Sequence, residues 1–484
     1  MTELWRLNLT QASRGLKNRD FTVTELVGSC LDRLKATEPT VAACLAVLEE
    51  RALERAKELD GQGFDESKEL WGLPLTVKDV FCLKGAPTTA GSRELANYRS
   101  AYEATVVRRL KSAGAVIIAK TNCDEFAMGS STEFSAFGPT KNPHDPQRVP
   151  GGSSGGAAAS VAAGQAPGAF GTDTGGSIRQ PAGLCGCVGL KPTYGRVSRY
   201  GVVAYASSLD QAGPLARTVA DCGRLLGVVA GPDERDSTVS TAALPDLKNP
   251  VPWDPKDLVL GLPTQLWPSD LDPGVAKVLG EAKARLAEAK VKLVEVDLPS
   301  LKYAVAAYYI LATAEASTNL ARYDGVRYGF RQPEARDLLE LYAATRQIGL
   351  GPEARRRILL GTFVLSSGFY EAYFRKAAQV RRLVFQDVQK ALTECHFILA
   401  PASSLPAWPL GSFLDDPLTV YLMDLMTLPL NLHGGPGLSL PAGLSDGGLP
   451  VGAQLWGRTL DEEGLLSAGA LLEKLWPPMP WPNL

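Results

Sequence analysis

The run from Pro150 to Pro192 constrains the fold of this chain more than any other segment. It holds Gly-Gly-Ser-Ser-Gly-Gly at 151–156, a block of small residues at 157–163, and a second glycine turn at 171–177. Gly, Ser and Ala in such amounts suit a flexible linker, but their order does not. The first glycines run directly into good helix formers, so they sit at a helix N-terminus, where the backbone takes conformations closed to other residues. The segment therefore predicts two buried loops that present Ser153, Ser154 and Ser177.

The flanking sequence predicts the layers around those loops. From Leu4 to about Asp60, apolar positions recur at helical spacing, and Thr22 to Glu25 forms a capping box. Segments 73–77 and 116–120 are short apolar runs with a helical pattern, 103–113, between them, the order of a βαβ unit. A second such unit follows, with strands at 258–262 and 291–296 and a helix at 273–290. Residues 301–393 are almost wholly helical. Strands return at 397–400, 438–441 and 451–456, and a helix at 461–475 closes the chain. The expected fold is α/β, one central mixed β-sheet covered by helices on both faces. A single unit spans 1–484: a helical N-terminal layer at 1–65, a core from 66–300 and 396–484, and a helical insertion at 301–395.

Composition narrows the chemistry. With 45% hydrophobic and 21% charged residues, the chain has ordinary globular composition. Its 50 Lys+Arg against 52 Asp+Glu leave a formal charge of -2, without the basic field that grips phosphate backbones. Any RNA would be held by a partner. Residues 1–20 lack the apolar core of a secretory signal, and the weakly polar stretch 157–170 is too short to span a bilayer, so a cytoplasmic protein with no membrane role is expected. Eight cysteines include one close pair, Cys185 and Cys187, without the second pair of a zinc site, and read as reduced thiols. The three histidines, His144, His396 and His433, are far apart and form no metal-binding motif; His396 lies in an apolar run that suits a core histidine. No metal is expected, and imidazole is a poor candidate for activating a nucleophile.

Cleaving a carboxamide takes a nucleophile, a base and donors for the oxyanion. Lys78 ends an apolar strand-like run, and burial would favour the neutral amine that a base must be; a surface ion pair between Lys78 and Asp79 fits the same residues. Ser153 lies between two glycine pairs. Ser177 follows Asp173-Thr174-Gly175-Gly176, whose backbone N–H groups suit an anion-binding nest, although each serine also suits a plain turn. No phosphate-binding loop and no Ser-x-x-Lys occurs.

The segments Gly151-Gly-Ser-Ser-Gly-Gly156 and Gly171-Thr-Asp-Thr-Gly-Gly-Ser-Ile-Arg-Gln-Pro181 resemble the signature of the amidase signature family. That resemblance implies the family's fold and a triad of Lys78, Ser153 behind a cis peptide bond, and Ser177 as nucleophile, with the backbone of Thr174, Gly175, Gly176 and Ser177 as oxyanion hole. Segments 124–142, 191–218, 319–329 and 360–368 are similar to the A-subunit branch of the tRNA-dependent amidotransferases. The branch implies a glutaminase that supplies ammonia for converting Glu-tRNA(Gln) to Gln-tRNA(Gln), with conversion of Asp-tRNA(Asn) to Asn-tRNA(Asn) left open. A free-standing amidase acting on small carboxamides is the alternative. By the same resemblance Arg357 clamps the glutamine α-carboxylate, Asp424 meets the α-ammonium, Tyr308 or its neighbour Tyr309 supplies an aromatic wall, and Met128 and Gly129 complete the pocket. No cofactor is implied in this chain. ATP and Mg belong to a tRNA-binding, kinase-like B subunit that contacts the misacylated tRNA, with a small C subunit completing the assembly. Ala157, Cys123 and His433 depart from the usual pattern, and His433 is expected to affect the pocket or the ammonia exit.

Overall fold

The computed structural model describes residues 3–267 and 271–484, so residues 1–2 of the expected N-terminal layer and 268–270 of the expected core lie outside it. Among the described residues eleven strands form one sheet: β1 (Cys44–Val47), β2 (Pro74–Lys78), β3 (Val116–Thr121), β4 (Gly168–Asp173), β5 (Val188–Lys191), β6 (Gln211–Ala216), β7 (Val259–Pro263), β8 (Lys292–Val296), β9 (Phe397–Pro401), β10 (Gly437–Leu444) and β11 (Pro450–Trp456). Their spatial order is β1-β3-β2-β4-β6-β5-β10-β11-β9-β7-β8. The sheet is mixed, as expected: β2 runs parallel to β3 and β4, β6 is antiparallel to β4 and β5, and β7 is parallel to β8 and β9. Helices flank it.

Both βαβ units form, the first through Thr105–Ser112 and the second through Pro273–Glu288. The capping box closes as read: Thr22 Oγ1 accepts from Glu25 N–H at 3.1 Å, and the Glu25 carboxylate accepts from Thr22 N–H at 2.7 Å. Two expectations change. The helical pattern through Ala43 and Val47 is interrupted by β1, which is antiparallel to β3. β4, β5 and β6 are strands the sequence pattern does not announce: Gly168–Asp173 and Gln211–Ala216 are built from small residues with little β-branched signal, and Val188–Lys191 is only four residues long. They are central strands with every residue buried, so packing rather than propensity decides them.

Between β8 and β9 the chain forms the expected helical insertion: Ala304–Asn319, Leu338–Gly349, Pro352–Leu365 and Arg375–Glu394. Ala304–Asn319 is apolar nearly all round and is correspondingly buried against the Pro352–Leu365 and Arg375–Glu394 helices. Among the described residues no helix is long and apolar enough to cross a membrane.

The glycine-rich segment is interior. From 151 to 193 every residue is buried except Gly175. The Gly155–Ala162 helix packs against β4 and the Arg179–Cys185 helix, and a cluster of Ala157, Ala158, Ala159, Val161, Ile178 and Leu215 fills the seam. Such close approach needs small residues. A Cβ at Gly156 would stand 2.5 Å from the carbonyl oxygens of both Ala43 and Asn122, so substitution would push the helix off the strand end.

Candidate active site

Lys78 is the last residue of β2, and its side chain is wholly buried. Strand order therefore places its ammonium at the carboxyl end of a parallel pair, where open α/β sheets gather functional groups. Nζ lies 2.8 Å from Ser153 Oγ, 3.0 Å from Ser154 Oγ and 2.9 Å from Thr172 Oγ1. Burial, opposed by Cys123, Asp124, Asp210 and Asp173 nearby, brings the Lys78 ammonium down to about 8. The surface ion pair with Asp79 does not form; buried Asp79 instead accepts from buried Lys120 at 2.6 Å.

Ser153 follows Gly152 through a cis peptide bond. Gln180, quoted in the motif but given no role there, holds this turn: its Oε1 accepts from Gly152 N–H at 2.9 Å, and its Nε2 donates to the Ser130 carbonyl at 3.0 Å. Ser154 N–H donates to the Ser177 carbonyl at 3.1 Å, which ties the two glycine loops together.

Ser177 opens onto a small cavity, lined also by Gly129, Gly152, Gly175, Gly176, Tyr308, Arg357 and Asp424. Its hydroxyl makes no hydrogen bond among the described residues. The expected oxyanion set is altered: Gly176 N–H donates to Asp173 Oδ1 at 3.0 Å and is not free for a ligand. Gly175 and Ser177 N–H make no hydrogen bond among the described residues. Gly176 has φ 137°, and a side chain there would run into Thr427. Asp173 anchors the turn by accepting from Ile178 N–H, from Arg179 Nε and Nη2 at 3.1 Å each, and from Asn431 Nδ2 at 2.8 Å. Burial alone would raise this carboxyl, but Arg179 and its hydrogen bonds outweigh burial and hold it below its usual range.

Across the cavity Arg357 and Asp424 supply opposite charges. Arg357 Nη1 donates to Tyr205 Oη at 2.7 Å, and its guanidinium carbon lies 5.5, 5.3 and 5.4 Å from the ring centres of Tyr205, Tyr309 and Tyr421, a cage of π faces that suits a cation. Asp424, half-buried, accepts from Ser130 Oγ at 2.8 Å and Tyr309 Oη at 2.6 Å. Its carboxyl is pushed up to about 6, chiefly by burial. The two tyrosines divide the work: Tyr308 sets its hydroxyl against Gly175 of the glycine turn, whereas Tyr309 holds Asp424.

Two expected residues sit elsewhere. The Met128 side chain is fully buried in the hydrophobic core, and the cavity wall at this loop comes from Ala127, Gly129 and Ser130. The Phe126 and Ala127 backbones, at φ 50° and 61°, turn the chain between those two surroundings. His433 is also outside the cavity. It stacks on Phe385 at 5.2 Å, its Nε2 meets Gln389 at 2.8 Å and its Nδ1 accepts from Gly435 N–H at 3.1 Å. Burial first, then Lys191, lowers it to about 4, so it stays neutral. His396 is satisfied as a packing residue, accepting from Val259 N–H at 3.0 Å. No group of three His, Cys, Asp or Glu side chains able to hold a metal occurs among the described residues.

Comparison with known proteins agrees with this geometry. The Amidase family model matches residues 25–466. The A subunit of the glutamyl-tRNA(Gln) amidotransferase from Oleidesulfovibrio alaskensis is 54% identical over 477 residues, covering 98% of each chain. That from Chloroflexus aurantiacus is 52% identical with the same coverage. The solved structure of the glutamyl-tRNA(Gln) amidotransferase A subunit from Thermotoga maritima superposes with a TM-score of 0.84 at 40% identity, covering 100% of this chain and 99% of its own. The peptide amidase of Stenotrophomonas maltophilia, with a TM-score of 0.82, is 28% identical and covers 99% of each chain. Fold, cavity and sequence thus lead to one conclusion: the chain belongs to the amidase family, in the branch of the glutamyl-tRNA(Gln) amidotransferase A subunits.

Proposed function

We propose that this chain is the glutaminase subunit of a tRNA-dependent amidotransferase and that Lys78, Ser153 and Ser177 release ammonia from glutamine. One observation carries it: a serine hydroxyl, a guanidinium and a carboxylate line the same small cavity, with a lysine of lowered pKa behind it. A zwitterionic amino-acid amide matches that set. Arg357 meets the α-carboxylate, where a guanidinium can bind through two N–H groups, and Asp424 meets the α-ammonium. A free-standing amidase acting on varied amides has no need of either charge, and the amidase at 28% identity is a more distant relative than the A subunits above 50%.

In the proposed reaction neutral Lys78 takes the Ser153 proton as Ser153 takes that of Ser177. Ser177 Oγ then attacks the side-chain carboxamide carbon. Gly175 and Ser177 N–H groups hold the oxyanion that forms. Its collapse breaks the C–N bond, and the proton returns along Ser153 to the departing nitrogen, giving ammonia and a γ-glutamyl ester on Ser177. Water, deprotonated by the same relay, cleaves the ester to glutamate. The ammonia is consumed by a partner that activates the misacylated Glu-tRNA with ATP and Mg, a kinase-like B subunit held together with this chain and a small C subunit in the cytoplasm. A partner-binding surface is supported by Phe363, Phe369 and Tyr373, each about two-fifths exposed and clustered at 4.3 to 6.0 Å between ring centres on the helical insertion.

The test is glutamine hydrolysis by the purified chain alone, then with the kinase-like and small partner subunits, ATP and Glu-tRNA, in wild type and Ser177→Ala. Turnover that rises with the partners and vanishes in the variant is expected. Unchanged turnover in Ser177→Ala would remove the mechanism, and strong hydrolysis of simple amides without partner stimulation would favour a free-standing enzyme.

A further inference from the structure

Glu353 has no place in the family motif, yet it is 2% exposed and holds Arg356 and Arg357. It lies in the first turn of the Pro352–Leu365 helix, four residues before Arg357, so the two side chains share a helix face. Glu353 Oε1 accepts from Arg357 Nε at 2.7 Å and from Tyr421 Oη at 2.5 Å. Its other oxygen, Oε2, accepts from Arg356 Nη1, whose side chain is 44% exposed and lines a separate surface cavity.

The consequence for Arg357 is geometric. A guanidinium carries five N–H donors in a rigid plane. Nε is taken by Glu353 and one Nη1 donor by Tyr205. Those two bonds come from different edges of the plane and fix its rotation, while the three aromatic rings close its faces. Nη2 makes no hydrogen bond among the described residues, and Arg357 lines the Ser177 cavity. The free donors are therefore held in a fixed orientation on a side chain that lines the cavity. Burial would raise the Glu353 carboxyl, but Arg357, Tyr421 and Arg356 outweigh it and keep the group ionised.

We propose that Glu353 is a positioning residue that orients Arg357 toward carboxylate-bearing amides, with Arg356 steadying it from the surface cavity. This rests on the glutaminase function proposed above and deepens it. Glu353 touches no substrate, so its removal should weaken capture of glutamine without slowing the chemistry of an amide that lacks the carboxylate.

The experiment compares Glu353→Ala, Glu353→Gln, Arg356→Ala and Arg357→Ala in the full chain, with glutamine and with butyramide as substrates. Glu353→Ala should raise the KM for glutamine about tenfold or more, the equivalent of one lost charge-assisted hydrogen bond, while kcat and butyramide hydrolysis stay within about twofold. Glu353→Gln, which keeps an acceptor on Arg357 Nε, should recover most of the loss. Equal loss for both substrates, or an unchanged glutamine KM, would overturn the proposal. Should Glu353→Ala fail to fold, Arg356→Ala decides: a glutamine KM raised about twofold or more with butyramide hydrolysis unchanged supports the proposal, and an unchanged glutamine KM overturns it. Arg357→Ala separates the two ideas, because equal effects of that variant on both substrates would refute the clamp itself, whereas a selective effect there with none in the Glu353 variants would refute only the role of Glu353.

Discussion

Ser154 Oγ meets Lys78 only as an acceptor. Its own hydrogen goes to the Thr172 carbonyl at 3.0 Å, and it accepts from Thr172 N–H at 3.2 Å as well as from Lys78 Nζ at 3.0 Å. A hydroxyl has one donor and two acceptor positions, so Ser154 is saturated. A neutral Lys78 has two N–H groups and one lone pair. With one N–H on Ser154 and the other on Thr172 Oγ1, the lone pair faces Ser153, the arrangement a base needs. Ser154→Ala should therefore free the amine to turn and lower kcat for glutamine about tenfold, as loss of one such hydrogen bond implies, with little change in KM. Steady-state kinetics check it; a loss confined to KM would refute the assignment.

The pH dependence of kcat follows from the same amine. Burial first, opposed by neighbouring acids, lowers Lys78 to about 8. The neutral base is scarce below that value and dominant above it, so kcat should climb as pH rises through about 8 and then level off. Lys78→Ala should lose about 10²- to 10⁴-fold in kcat, the range for removing a general base, and lose the limb as well. A wild-type profile that falls as pH rises through 8 would contradict the role of Lys78 as base.

How much of this was legible depends on how local each constraint is. Ser153 and Ser177 are announced by their own neighbours, because glycine packing and turn geometry act within a few residues. Lys78 was ambiguous from its strand alone, since Asp79 beside it suits a surface pair; only β4 and the helix start, far along the chain, decide that it is buried. Tyr205 and Tyr421 left no trace in the sequence, as their contact with Arg357 joins segments 152 and 64 residues away. Met128 failed for the opposite reason: adjacent residues in an irregular loop face opposite surroundings, and no period predicts which one turns inward.

Asp424 gives a second pH limb, on KM. Its carboxyl is raised to about 6, mainly by burial, and only the ionised form attracts an α-ammonium. The KM for glutamine should fall as pH rises through about 6. Asp424→Asn should raise KM at neutral pH by about 10- to 100-fold, the worth of a hydrogen bond to a charged group, and flatten this limb while sparing an uncharged amide. Separate KM and kcat profiles from pH 5 to 9 would distinguish it from the Lys78 limb.

Arg179 tests the support beneath the Ser177 turn. It is wholly buried and binds Asp173, the Thr427 carbonyl at 3.1 Å, Gln454 Oε1 at 2.7 Å and Asn431 Oδ1 at 2.6 Å, so it joins the β4 turn to the Leu428–His433 helix with its cap and to β11. Replacing it with alanine leaves the Asp173 charge buried without its cation, a change that costs about 3 to 5 kcal/mol. Thermal unfolding should show a clear drop in Tm, and glutaminase activity should fall with it as the turn loosens. Because Arg179 holds the Asp173 carboxyl below its usual range, this pair's contribution is fully present above the unfolded carboxylate value of about 3.9 and is lost as pH falls through the lower folded value. Combining Arg179→Ala with Asp173→Asn removes both charges together and should recover part of the Tm, as coupled partners do in a double-mutant cycle. If the double variant is as unstable as the sum of the single ones, the two residues are independent and the turn is held by its backbone alone.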